Sequence, residues 1–249
     1  MRDGFTRPSC ETRRETICDL GSGHAGAGAR PIPSDEDSGG KDADGAFPYG
    51  LDRMADAYVD LLHAAGYGKA IWVGLSMGGY LILDIQRLHP EAVAALALCD
   101  TKADADSADM RLKRVAIATD CETTGTHEPV MGFAVPSEAD STVKQSDAYC
   151  RQFETWINEQ PADGIAWRER MAAGRPDLND VLPNINVPVA VICGDKDPSS
   201  PPAVMKPVAD AMTKTDVTMT VIDDCGHFSA YEHPDQVAAA LLELVKRVG

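Results

Sequence analysis

The sequence has no apolar run long enough to cross a membrane and no large basic cluster. A membrane-spanning helix needs about 20 consecutive apolar residues, and no run approaches that length. The 39 acidic residues outnumber the 23 basic ones, which gives a formal net charge of −16, and residues 111–114 are the longest basic cluster. These features argue against a membrane or a nucleic acid as partner. A small molecule is the expected partner.

The seven cysteines lack the spacing of metal or redox motifs. No two of them form a C-x-x-C pair, and their odd number suits a reducing compartment. The amino terminus has no apolar core of a signal peptide, and its acidic residues argue against a transit peptide. The sequence therefore predicts a cytoplasmic protein and leaves its oligomeric state open, with a homo-oligomer as one outcome.

Residues 1–50 are rich in Gly, Pro and Asp and lack hydrophobic periodicity, which predicts an irregular segment. The stretch from Gly21 to Gly26 matches the G-x-G-x-x-G dinucleotide fingerprint, but Pro31 and Pro33 follow where that fingerprint needs a helix. Four aspartates between positions 35 and 44 lack the glutamate that closes an EF-hand loop. An oxidoreductase and a calcium site are therefore set aside, and neither a cofactor nor a metal is expected.

A nucleophile motif lies between a predicted strand and a predicted helix. Residues 70–73 are apolar and β-rich, and a helical pattern begins at Gly79. Between them, residues 74–78 read G-x-S-x-G, a turn so sharp that glycine is expected at Gly74 and Gly78. The turn would expose the Ser76 hydroxyl and leave the backbone N–H of Met77 at a helix N-terminus, where an oxyanion can bind.

Strands and helices alternate on both sides of a long helical segment. Helical periodicity begins at residue 51, and apolar strands are predicted at 93–99, 187–193 and 217–222, before a closing helix at 236–248. This order implies right-handed parallel crossovers. Residues 102–183 carry helical patterns and no strand, so we expect one domain, with a core of 51–101 and 184–249 and a cap insertion at 102–183. Phe153, Trp156 and Trp167 either line an acyl pocket or form the core of this cap.

Three reactive side chains each follow the carboxyl end of a predicted parallel strand, where open α/β sheets assemble their sites. They are Ser76, Asp197 and His227, and their chain order is the one found in α/β-hydrolases. The imidazole of His227 would take the serine proton, and Asp197 would orient the imidazole. Asp100 ends the preceding strand and is the alternative acid, whereas Asp195 is expected in a turn.

The segments GLSMGGY, GDKDPSSPP and GHFSAYEHP around these residues resemble the α/β-hydrolase superfamily. The resemblance is strongest to the branch of 3-oxoadipate enol-lactonases, carboxylesterases and cofactor-free haloperoxidases. It covers about residues 51–248, including the pattern G-H-x-x-x-x-E-x-P that contains Glu232 and Pro234. It implies an α/β-hydrolase fold, with a mostly parallel sheet and helices on both faces, and hydrolysis of an ester or lactone through an acyl-enzyme.

The sequence departs from that family ahead of the serine motif. The family places further strands and a His-Gly loop there, and this loop donates the second N–H to the oxyanion. Residues 17–21 resemble the end of such a strand, but only 16 residues precede them and none forms a His-Gly pair. The N-terminal strands are therefore expected to be missing, by truncation, by a frameshift or because the sheet starts late. The alternative to an active hydrolase is an impaired remnant or binding scaffold that lacks half of its oxyanion hole.

Overall fold

The computed structural model describes residues 26–248. The strand-like stretch predicted at 17–21 and most of the glycine motif that begins at Gly21 lie outside the described residues.

A parallel sheet forms the centre of the described chain. It has four strands in the order β1 (Ala70–Leu75), β2 (Val93–Cys99), β3 (Val189–Gly194) and β4 (Val217–Ile222). The register pairs Leu75 with Cys99 and Gly194 with Ile222, so that all four carboxyl ends reach the same edge. The third strand begins two residues later than predicted, because Pro188 has no N–H to donate to a ladder.

Helices cover both faces of the sheet, as the fold class requires. One face packs against α1 (Gly50–Ala64), α2 (Met77–Leu88) and α6 (Pro202–Ala211), through strand residues such as Leu96 and Val191. The other face presents Ala97 and Ala190 to Leu244 of α8 (Pro234–Lys246). Both faces are apolar because successive strand residues point to opposite sides and each side is covered. The four-residue helix α7 (Ser229–Glu232) precedes α8.

The buried face of α1 differs from the predicted one at two residues. The helical period predicts an apolar face of Leu51, Met54, Ala55, Tyr58, Leu61 and Leu62. Leu51, Met54 and Leu62 are buried as the helical period predicts, but Leu61 is 42% exposed and Val59 is buried. At about 100° per residue, Leu61 lies at the margin of the apolar arc. The buried strip of this helix therefore lies further toward Val59 than the sequence indicates.

The residues between β2 and β3 form helices. We call residues 102–183 the cap segment; its α-helices are α3 (Ala108–Thr124), α4 (Asp147–Asn158) and α5 (Ala162–Gly174). Short 3-10 turns occupy Glu128–Phe133 and Asn179–Asn184. The hydroxyls of Ser107 and Ser146 accept N–H groups at the starts of α3 and α4, which satisfies donors that have no partner within the helix.

Residues 26–49 contain turns but no helix or strand, and they are bound to the cap segment. Trp167 of α5 donates its indole N–H to the hydroxyl of Ser38 at 2.8 Å and packs against Phe47. Arg170 donates to the carbonyl of Gly45 at 2.7 Å, and its own carbonyl accepts the N–H of Phe47. Of the two roles open to Trp167, the structure therefore gives it the structural one.

Candidate active site

Ser76 lies in the turn between β1 and α2 and has a left-handed backbone. Its φ of 52° and ψ of −112° are unusual for a residue with a side chain, and such conformations cost about 1–3 kcal/mol. Three hydrogen bonds hold it. Its N–H donates to Cys99 at 2.9 Å, and its carbonyl accepts from the Thr101 hydroxyl at 2.7 Å and from Gly79 N–H at 2.9 Å. The ends of β1 and β2 thus fix the turn that carries the hydroxyl.

The glycines of the turn have unequal roles. A Cβ on Gly74 would lie 2.2 Å from the carbonyl oxygen of Gly78, so this position excludes side chains. A Cβ on Gly78 would meet nothing within 4 Å, and the expectation that this glycine is sterically required is wrong. The requirement falls one residue later, because a Cβ on Gly79 would lie 2.3 Å from the hydroxyl of Thr101, where α2 passes the end of β2.

The structure brings the three predicted site residues into one hydrogen-bonded chain. Ser76 Oγ lies 2.8 Å from Nε2 of His227. The other ring nitrogen, Nδ1, lies 2.9 and 3.0 Å from the two carboxyl oxygens of Asp197. A carboxylate only accepts, so Nδ1 carries the proton and Nε2 is free to accept from the serine hydroxyl. In such an arrangement the imidazole can accept the proton of the hydroxyl, and the carboxylate can orient the imidazole.

Asp197 remains an anion although its side chain is fully buried. Burial is the largest influence and raises its pKa, but the combined effect of hydrogen bonds and of the charge that His227 can carry holds the pKa below its ordinary value. Two further donors contribute in the same direction, the backbone N–H of Ser199 at 2.8 Å and the hydroxyl of Ser200 at 2.5 Å. Ser200 is not among the site residues predicted from the sequence; a serine three residues after an aspartate in a turn is the pattern that indicates it.

Asp100, the alternative acid, has different partners. Its two carboxyl oxygens accept the backbone N–H groups of Gly194 at 3.2 Å and Ser229 at 3.1 Å, whereas the imidazole of His227 bonds to Asp197. Burial raises the pKa of Asp100 to about 6. Its backbone is left-handed, with a φ of 46°. Asp100 therefore braces the ends of β2 and β3 against α7.

The loop that follows β3 and the loop that follows β4 are joined next to His227. The carboxylate of Asp195 accepts the N–H of Cys225 at 3.2 Å, and Lys196 N–H donates to the carbonyl of Cys225 at 2.9 Å. Asp195 thus contributes to a loop contact, in keeping with the turn role expected of it. These bonds fix the chain that leads from β4 to His227.

Met77 is the first residue of α2, a helix of 12 residues. The first N–H groups of a helix have no acceptor within it, and they carry partial positive charge. Its N–H therefore belongs to a set that can bind an oxyanion formed next to Ser76.

Aromatic side chains of the cap segment reach the neighbourhood of His227 through Phe228, the residue that follows it. The ring of Phe228 is 5.2 Å from that of His227 and 4.7 Å from that of Phe153. Phe153 is buried and stacks on Tyr149 with ring centres 4.0 Å apart, whereas Trp156 is 43% exposed. Of the predicted candidates for an acyl pocket, Phe153 thus contacts Phe228, next to His227, and Trp156 packs against Tyr231 of α7.

Within residues 26–248, no group of three or more His, Cys, Asp or Glu side chains is arranged to hold a metal ion. In the same range no helix has both the length and the apolar character that crossing a membrane requires.

Comparisons with known proteins agree with the fold. The chain is similar to a thermophilic esterase from Thermogutta terrifontis, with 29% identity over 90% of this chain and 78% of the other, and a TM-score of 0.76. It also resembles the enol-lactonase from Burkholderia xenovorans LB400, with 22% identity, the same coverages and a TM-score of 0.72. An esterase from Exiguobacterium antarcticum matches at 18% identity over 90% and 79% of the two chains, with a TM-score of 0.69.

None of the curated proteins matches the sequence significantly. The profile of the Alpha/beta hydrolase family, however, matches residues 12–240, which is most of the chain. Together with the parallel sheet and the serine turn after β1, this match shows that the chain belongs to the Alpha/beta hydrolase family.

Proposed function

We propose that the chain is a serine hydrolase of small carboxylic esters or lactones and works through an acyl-enzyme. The observation that carries the proposal is the continuous chain from Ser76 Oγ through both nitrogens of His227 to Asp197, with contacts of 2.8 and 2.9 Å. The similarity to an esterase and to an enol-lactonase supports ester and lactone bonds as the substrate class.

In the first half-reaction Ser76 Oγ forms a bond to the substrate carbonyl carbon while its proton passes to Nε2 of His227. The carbonyl π electrons move onto oxygen, and the N–H of Met77 donates to that oxyanion. The tetrahedral intermediate then expels the alkoxide, which takes the proton from the imidazolium. The product is an ester of Ser76 and a free alcohol; with a lactone, the new hydroxyl stays on the acyl group.

Water completes the cycle by the same path. Nε2 of His227 takes a proton from water as its oxygen attacks the acyl carbon, and the proton returns to Ser76 Oγ as the acid leaves. Asp197 holds the imidazole in the tautomer that can accept at Nε2 and stabilises the imidazolium of both steps. Its lowered pKa supports this role, because the group stays ionised through the neutral range.

A test should separate this function from that of an impaired scaffold. We expect the parent to hydrolyse p-nitrophenyl acetate and to be labelled by a fluorophosphonate, and Ser76→Ala to lose at least about 10⁴-fold in kcat and all labelling. The matched control is Ser34→Ala, which removes an exposed hydroxyl in residues 26–49 and should behave as the parent. A parent that neither turns over nor reacts would establish the scaffold, and a Ser76→Ala variant at parental rate would refute Ser76 as the nucleophile.

A further inference from the structure

The carboxylate of Glu232 is bonded to the chain on both sides of His227. Its Oε2 accepts the N–H of Gly226 at 2.7 Å, and its Oε1 accepts the N–H of Phe228 at 3.2 Å. The hydroxyl of Ser141, in the cap segment, donates to the same Oε2 at 2.5 Å. Glu232 is 6% exposed. One buried side chain thus connects the backbone around the base to an element 91 residues away in sequence.

In the described part of the chain, no neighbouring positive charge offsets the cost of burying this acid. Among the described residues, no Lys, Arg or His forms an ion pair with Glu232. A buried carboxylate is costly unless donors replace its hydration, and here two backbone amides and one hydroxyl do so. Hydrogen bonds to a charged acceptor are also stronger than neutral ones. The carboxylate therefore holds the positions of its three donors firmly.

The loop is shaped to receive this carboxylate. A Cβ on Gly226 would lie 3.0 Å from Oε1 and 3.3 Å from Oε2 of Glu232, so the missing side chain leaves room for the acid. On the far side of Gly226, Cys225 is held by Asp195 and by the backbone of Lys196. Gly226, the residue before His227, is thus fixed from two directions. Phe228, the residue after it, is held by Glu232 at its N–H and by the backbone of α7 at its carbonyl.

The connection to the cap segment is equally specific. Ser141 is fully buried, and its Oγ accepts the N–H of Lys144 at 3.0 Å, which orients the hydroxyl proton toward Glu232. The adjacent Thr142 donates its N–H to Asp224 at 3.1 Å, a second contact between the cap segment and the same loop. Asp224, however, has no bond to either amide that flanks His227 within residues 26–248.

We propose that Glu232 is a positioning residue for the base: it holds the imidazole of His227 within hydrogen-bonding distance of Ser76 and, through Ser141, makes that position depend on the seating of the cap segment. The inference rests on the proposed function for its catalytic meaning. Its structural content, the control of the two amides that flank His227, can be measured without turnover.

The experiment compares Glu232→Gln with Asp224→Asn in the full chain. The glutamine has the same shape but can accept with only one atom, so one of the flanking amides loses its acceptor. Asp224→Asn weakens a cap contact and the ion pair with Lys196, and it leaves both amides bonded, which makes it the matched control. Amide hydrogen exchange at Gly226 and Phe228 is measured by NMR, together with kcat and KM for p-nitrophenyl acetate.

For Glu232→Gln we expect exchange at Gly226 or Phe228 to quicken by about 10-fold or more and kcat to fall by about 10- to 100-fold, with KM within about 3-fold of the parent. Asp224→Asn should keep the exchange of both amides and kcat within about 2-fold. Ser141→Ala should fall between the two variants, because it removes the cap link and leaves both amides bonded.

Folded Glu232→Gln with parental exchange at both amides would overturn the inference, whatever the enzyme does. Quickened exchange with parental kcat would refute the positioning role and leave a structural one. If the parent has no Ser76-dependent activity, the proposed function fails while the exchange data still decide whether Glu232 holds the loop. If Glu232→Gln does not fold, Gly226→Ala strains the same contact from the opposite side and should change the same readouts in the same direction; no change there would overturn the inference.

Discussion

The loops that follow β2 and β3 each hold a buried aspartate, and the two acids have opposite properties. Asp100 binds two backbone amides, and burial raises its pKa to about 6. Asp197 binds an imidazole that can become a cation, and its pKa lies below the ordinary value. Both side chains are removed from water, so burial alone does not decide the role of either acid. The bonding partner does: Asp197 is bonded to a titratable ring that it can orient and whose protonated form it can stabilise, whereas Asp100 is bonded to fixed backbone dipoles and acts as a brace.

The largest expected effect comes from removing the charge of Asp197. Asp197→Asn would present an amide N–H₂ to Nδ1 of His227 and so favour the tautomer whose Nε2 carries a proton and cannot accept from Ser76. We expect kcat for an activated ester to fall by about 10⁴-fold. Steady-state kinetics of the parent and the variant near pH 7.5 measure this fall in kcat.

Asp100→Asn is the matched control for that variant. It removes a charge of equal size from the neighbouring loop without touching the ring, and kcat should fall by less than about 10-fold. Its cost should appear in folding instead, as a loss of about 1–3 kcal/mol in the free energy of unfolding, because an amide N–H₂ must then face a backbone N–H. The reverse ranking of the two variants in kcat would give the acid role to Asp100.

A second expectation concerns how stability depends on pH. Because the pKa of Asp100 rises to about 6 on folding, the native state binds this proton more tightly than the unfolded state does. The contribution of this proton to stability is present below about pH 4 and is lost as pH rises through about 6. Asp100→Asn does not titrate, so relative to the parent it should gain up to about 3 kcal/mol between pH 4 and pH 7.

Urea unfolding of parent and variant across that range measures the difference. Asp197 contributes with the opposite sign, since its stabilisation is lost as pH falls, but it is present in both proteins and cancels. A stability difference that stays flat across the range, or that moves against the variant as pH rises, would contradict the raised pKa of Asp100.

The smallest effect is expected at Ser200, whose hydroxyl donates to Asp197 at 2.5 Å. Ser200→Ala removes one of several groups that lower the pKa of this acid and leaves its bonds to His227 in place. We expect kcat to fall by about 3- to 10-fold, in line with the loss of one hydrogen bond to a charged group. A loss as large as that of Asp197→Asn would mean that Ser200 sets the orientation of the carboxylate.

The sequence was sufficient to predict three of the residues at the candidate site, because parallel strands share one carboxyl edge. The order of strands and loops brings Ser76, Asp197 and His227 to that edge without any knowledge of packing. The sequence could not show that Asp100 is turned to the amides of Gly194 and Ser229, since that depends on the register between β2 and β3. The pattern G-H-x-x-x-x-E-x-P includes Glu232, but it gives no indication of which groups this acid binds.

The close contacts of the fold, such as the positions that exclude a side chain, were harder to predict than the residues that carry the chemistry. The serine motif suggests glycine at 78, but the close approach that excludes a side chain occurs at Gly79 and involves Thr101, which follows the next strand. Trp167 has a helical spacing that fits either a pocket or a core. The hydrogen bond from its indole N–H to Ser38 shows that it belongs to a core, and Ser38 lies in a segment without hydrophobic periodicity. Contacts between distant and irregular parts of a chain leave little trace in local sequence patterns.

The binding of residues 26–49 to the cap segment affects how this protein can be engineered. Phe47 and Ser38 pack against Trp167, and Arg170 reaches the carbonyl of Gly45, so part of the interior of the cap segment comes from chain that precedes α1. The cap segment therefore cannot be exchanged on its own. A chimera that imports residues 102–183 without counterparts of Trp167 and Arg170 would leave Phe47 uncovered and the carbonyl of Gly45 without its donor, so the two stretches are best transplanted as a pair.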